Sequence, residues 1–163
     1  MTLRILPAGT IQPGVFQTFT DATLQDLVDN ADPNQEAGEA RFEFELDYDH
    51  AGGRLTRVDL TMWLTINMPE WSNVSRRRQA EQDEWNRFLR ALRVHEDGHI
   101  EIFRREAPST HRKLLRSNPR RIRRALKAEE MRIRALSRAY DHRTRSGLRQ
   151  QTPHGTTVIQ VPP

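Results

Sequence analysis

Between residues 42 and 68 the hydrophobic positions recur every second residue. Phe42, Phe44, Leu46 and Tyr48 alternate with charged side chains. After His50-Ala51-Gly52-Gly53, the set Val58, Leu60, Met62, Leu64, Ile66 and Met68 alternates with Asp59, Thr61, Trp63, Thr65 and Asn67. A period of two puts each set on one face of a strand. Two such runs joined by Gly-Gly predict an antiparallel β-hairpin with one buried face. Pro69 has no N–H to give a ladder and is expected to end the second strand.

On either side the pattern changes. Residues 1–20 show no clear period and are broken by Pro and Gly, which predicts an irregular lead-in with one short strand. Asp21 through Asp29 reads as a short helix that begins on a capping residue and stops before Asp32-Pro33. From Ser75 the period is helical. With Phe88 set to zero, Leu92 falls at about 40°, Trp85 and Phe103 at about 60° and Ile102 at about 320°, one continuous stripe. Pro108 is expected to close this helix. A second long helix is expected to start at Asn118-Pro119, with Pro in its first turn. Its stripe is Ile122, Leu126, Ile133, Leu136 and Tyr140, and Gly147 is its expected stop. Residues 147–163 read as an irregular tail.

Strands followed by two long helices define an α+β class: a small antiparallel β-sheet with helices packed on one face. The 163 residues of the sequence fit a single domain spanning 1–163. There is no cysteine, so disulfides and thiolate metal sites are excluded and any metal must be held by His, Asp or Glu. No run of about 18 apolar residues occurs, so no membrane span is expected. Pro7 and Gly9 interrupt the only N-terminal apolar stretch, which predicts a cytoplasmic protein, with export by another route as the alternative. The net charge of +4 is unevenly spread. Residues 1–74 hold 4 basic and 12 acidic side chains, a net of −8, and residues 75–145 hold 21 and 10, a net of +11. Arg-rich helices can bind nucleic acid, but no aromatic-and-basic motif accompanies them, and a solvated face accounts for the charge.

The stretch that carries chemistry is His95-Glu96-Asp97-Gly98-His99. On the same wheel His95 falls at about 340° and His99 at about 20°, so both imidazoles project from the apolar stripe one turn apart. Two neutral histidines on a buried stripe need polar partners, and one shared divalent ion serves both. Glu96, at about 80°, stands beside the stripe. There it can act as general base on a metal-activated water without itself being a ligand. A random chain of this composition would carry the pattern roughly 2% of the time. Nitrogen and oxygen ligands with an open position for water make Zn2+ the expected ion. A third protein ligand remains open from the residues alone. Glu129 interrupts the stripe of the second helix, although pairing with one of the many arginines is the plainer explanation of it. Asp141 and His142 end that helix, and His154 lies in the tail. His50 and His111 are expected on the surface, in a turn and a loop.

These residues resemble a known family, the bacterial predicted secreted zinc-dependent proteases, catalogued as a domain of unknown function. Its pattern has a strand ending in Pro–Trp, a helix with Trp, an apolar pair and HExGH, and after a second helix Tyr-Asp-x-x-Thr-x-His-Gly. The matching residues are Met68-Pro69-Glu70-Trp71, then Trp85, Phe88-Leu89 and Leu92 before His95-Glu96-Asp97-Gly98-His99, and finally Tyr140-Asp141-His142-Arg143-Thr144. The chain departs from the pattern at Ser146, where the family has His, while Thr152-Pro153-His154-Gly155 repeats the Thr-x-His-Gly half. The resemblance therefore implies His154 as third ligand, then Asp141 as ligand or orienting residue, and Glu129 last. It implies a zincin-like fold and zinc-dependent hydrolysis of a peptide or protein substrate, with Glu96 activating the water. The rivals are a structural or regulatory zinc-binding domain without catalysis, and a nucleic-acid-binding module built on the Arg-rich helices.

Overall fold

The computed structural model describes residues 1–5, 12–32, 36–72 and 74–163. Pro7, Gly9 and Pro33, on which three expectations rested, lie outside them. The architecture is mixed α/β, with four strands and three α-helices among the described residues. In chain order these are β1 (Thr2–Ile5), β2 (Gln12–Phe19), α1 (Leu24–Asn30), β3 (Glu39–Ala51), β4 (Arg54–Trp71), α2 (Gln79–Leu115) and α3 (Ile122–Thr144). The β3–β4 hairpin forms as the alternation predicts. Gly52 and Gly53 take φ of 58° and 75° in the connecting turn, the left-handed pair that glycine accepts without strain.

The sheet is not the antiparallel one expected. β1 runs parallel to β4, with Thr2 opposite Asp59 and Ile5 opposite Met62. The carbonyl of Phe19 accepts from the Ser72 N–H at 2.8 Å, and Gly14 lies against Asn67. Equal spacing along both strands in the same direction means that β2 also runs parallel to β4. The lead-in is therefore two strands rather than one. Both add to the edge of a long central strand whose backbone groups draw them in, a pairing that needs no alternation of their own.

Two prolines do not act as expected. Pro69 lies inside β4, which continues to Trp71. Gly38, just before β3, approaches the Asn67 carbonyl, so Pro69 lies past the start of that ladder, where its missing N–H leaves no bond unmade. Pro108 lies inside α2, which continues to Leu115. Ala107, Thr110 and Leu114 beside it are fully buried, and that burial offsets the cost of an interior proline, about 3 kcal/mol for the lost bond and the ring clash together. The capping residue of α1 is Thr23, not Asp21; its side chain accepts from the Asp26 N–H. Asn118 caps the start of the last helical segment, as expected, by accepting from the Arg120 N–H. α3 ends at Thr144, three residues before Gly147.

Contacts group the chain into two compact units, Met1–Gln12, Arg41–Thr65 and His99–Tyr140 in one, and Pro13–Ala40, Ile66–Gly98 and Asp141–Pro163 in the other. The first has a core of Val58, Leu60, Leu114, Ile122 and Leu126, with Phe42 packed on Phe103 at 4.7 Å. The second has a core of Leu24, Leu27, Trp71, Trp85, Phe88 and Leu92. Trp85 anchors it, with Trp71 and Phe88 at 5.8 and 5.3 Å between ring centroids. Such aromatic pairs add about 0.5–1.5 kcal/mol each beyond area burial. Among the described residues no helix is long and apolar enough to cross a membrane.

Candidate metal centre

The middle of α2 carries His95, Glu96 and His99, which are 3%, 3% and 5% exposed. The helical repeat sets the two imidazoles one turn apart, as the wheel predicts. The last turn of α3 supplies Asp141. The Nε2 of His95 lies 3.3 Å from Asp141 Oδ1, and one ligand atom from each of His95, His99 and Asp141 lies within 4.8 Å of the others. Donor atoms around a tetrahedral zinc, about 2.0–2.2 Å from the ion, stand roughly 3.3–3.6 Å apart. The donor set is chemically one that could hold such an ion, and the His95–Asp141 separation matches its spacing.

Each imidazole is oriented through its other nitrogen. His95 Nδ1 lies 3.0 Å from Gln150 Oε1, and His99 Nδ1 lies 2.7 Å from Ser137 Oγ. Hydrogen-bonded second nitrogens of this kind are the usual companions of metal-ligating histidines. Tyr140 stands edge-on to the His99 ring at 4.9 Å between centroids. Burial pushes the pKa of His95 down, but Asp141, Gln150 and the charge of Glu96 outweigh it and hold it above the ordinary histidine value. Glu96 lies beside the group without belonging to it. Gly38 leaves room for it: a Cβ there would lie 3.2 Å from Glu96 Oε1.

The other candidates lie apart from this group. His154 sits in a tight turn closed by Thr152 and Gly155; its N–H donates to Thr152 Oγ1 and its carbonyl accepts from Arg87. Glu129 is held by Lys113 at 2.7 Å and Arg132 at 2.9 Å. Burial would raise its pKa, but these two cations bring it below the usual carboxylate value. His50 and His142 are exposed. His111 is not a surface loop residue: it is buried in α2, with Nε2 3.3 Å from the Val58 carbonyl. Ser146 is exposed, with φ of 50°. Sequence reasoning missed Gln150, Ser137 and Gly38. Only Ser137 carried a signal, since it lies one turn before Asp141 and prolongs the Leu126–Ile133 stripe with a polar group.

Fold and site together define a mixed α/β protein in which two histidines of the HExxH helix and an aspartate of the last helix form a group that could hold a metal. The chain belongs to the family described as bacterial protein of unknown function (DUF922), which it matches over residues 16–147. Neither the curated proteins nor the solved structures contain a match. His95, Glu96, His99 and Asp141 lie within the matched span, whereas Gln150 and His154 follow it.

Proposed function

We propose that this protein is a zinc-dependent metallopeptidase of zincin-like type, with α2 as its active-site helix. The convergence of His95, His99 and Asp141 carries the reading. These three residues would hold the ion. Zinc, when bound, supplies Lewis acidity, lowering the pKa of a water to about 7 and polarising a carbonyl. Glu96 takes the proton of the attacking water and delivers it to the departing amine. Its burial removes competing bulk water, and its position beside the group keeps it from being consumed as a ligand. The peptide has a natural approach. β3 begins next to Gly38, against Glu96, and an extended substrate adding to that strand edge would bring a carbonyl toward the carboxylate.

The test is cleavage of an unfolded protein substrate by purified protein carrying one equivalent of zinc. Glu96→Gln keeps the metal and loses at least about a hundredfold in rate. Undiminished cleavage by that variant removes Glu96 from the mechanism. Stoichiometric zinc with no cleavage of any peptide leaves a non-catalytic zinc domain.

A further inference from the structure

Gln150 follows the family-matched span, yet it meets the ring of His95. Its Oε1 stands 3.0 Å from Nδ1. A carbonyl oxygen only accepts, so the contact places the proton on Nδ1 and presents the Nε2 lone pair toward Asp141.

The segment that delivers Gln150 is braced from behind. After α3, Arg145 and Ser146 take φ of 49° and 50° and Gly147 takes 88°. The turn is closed by Ser146 N–H to the Asp141 carbonyl at 2.9 Å, Arg149 N–H to Thr144 at 2.9 Å and Gln150 N–H to Gly147 at 3.0 Å. A Cβ on Gly147 would meet Thr157 Cγ2 at 2.7 Å on one side and His95 Cγ at 3.3 Å on the other. Thr157 thus packs the turn against the His95 ring. Thr157 belongs to a segment that Arg87 grips: the guanidinium donates to the carbonyls of His154, Thr156 and Val158 at 2.9, 2.8 and 2.5 Å. Glu84 holds Arg87 at 2.7 Å and accepts from the Gln160 N–H. Both side chains are largely buried, at 22% and 12% exposure. Arg87 and His95 sit on the same helix, two turns apart, so clamp and ligand share one rigid support.

We infer that Gln150 is a positioning residue for His95, and that Arg87 holds in place the C-terminal segment that presents it. This rests on His95 being a metal ligand. The C-terminal segment would then set metal affinity through His95, without adding a residue to the His95–His99–Asp141 group.

Cobalt(II) is the probe, titrated into the full-length metal-free chain against a chromophoric chelator, with visible absorption and thermal unfolding of the metal-free form recorded in parallel. Gln150→Ala raises the cobalt Kd about ten- to a hundredfold and changes the absorption envelope, with little change in the metal-free Tm. Gln150→Glu retains an acceptor and returns the Kd to within about threefold of wild type. Arg87→Gln weakens cobalt binding in the same direction and speeds tryptic cleavage at Arg149. Wild-type Kd and spectrum in Gln150→Ala, or a Gln150→Glu variant as weak as the alanine, overturns the positioning role and leaves the metal centre standing. Wild-type cobalt binding that His95→Ala does not alter overturns both.

Discussion

His95 Nε2 and Asp141 Oδ1 stand 3.3 Å apart, joining the middle of α2 to the final turn of α3. The separation is that of two ligand atoms on one tetrahedral ion, and the carboxylate is an anionic partner of a buried imidazole. Asp141→Ala is therefore expected to lower zinc affinity at least about a hundredfold, leaving two protein ligands where catalytic sites use three. His154→Ala should leave the zinc content unchanged, because that residue is held through its backbone by Arg87 and Thr152 and is not part of the His95–His99–Asp141 group. Metal analysis of both variants after dialysis decides between them. Zinc retained by the first and lost by the second would return the third ligand to the tail.

Gly38 tests the role of Glu96 from outside. A methyl group there meets Asn67 O, Glu96 Oε1 and Leu92 Cδ2, each at 3.2 Å. The Asn67 carbonyl is backbone and yields least, so the carboxylate moves. Gly38→Ala should bind zinc normally while peptide cleavage falls about tenfold or more, through kcat, as a small displacement of a proton-transfer group implies. Equal loss of metal and activity would point instead to general unfolding.

Acid stability is expected to depend on Glu81. This buried carboxylate accepts from the Leu24 N–H, one of the helix N-terminal donors of α1, at 2.9 Å. That bond holds its pKa below the ordinary glutamate value, against burial, which would raise it, and with help from Arg78. A depressed carboxylate stabilises the fold fully above its unfolded pKa, and the contribution fades as pH falls through the lower folded value. Urea titrations from pH 7 down to pH 3 should show this loss. Glu81→Gln should be less stable by about 1–3 kcal/mol at neutral pH and lose less on acidification. An unchanged slope would mean that Glu81 is not linked to folding.

Pro108 breaks the backbone ladder of α2 on its exposed side. Pro108→Ala restores the N–H that Arg104 O would receive, and a helix interior favours Ala over Pro by about 3 kcal/mol. The variant should therefore unfold at a higher temperature, with a gain of about 1–3 kcal/mol. A lower Tm would show that the proline ring itself contributes to the packing of this part of the helix.

What was legible in the chain was local. The alternation from Phe42 to Met68 predicted the hairpin, because side chains two apart must share a face. The five residues from His95 to His99 predicted two imidazoles on one buried side of a helix, because 3.6 residues per turn leaves no other arrangement. Asn118 and Pro119 marked the start of the last helical segment through a cap formed between neighbours.

Tertiary structure decided whatever depended on partners far along the chain. β1 and β2 became strands because β4 offered them an edge, and their direction was set by that strand. Pro69 and Pro108 were overruled, one by its place past a ladder and the other by the burial of residues around it. Asp141 came to stand beside His95, while Glu129, equally plausible on a wheel, was taken by Lys113 and Arg132. Gln150 carried no signal in the sequence, since a lone glutamine gains meaning only from the nitrogen it faces. Helical period and turn chemistry are fixed by a few adjacent residues; which carboxylate and which amide reach a given imidazole is fixed by how separate elements pack.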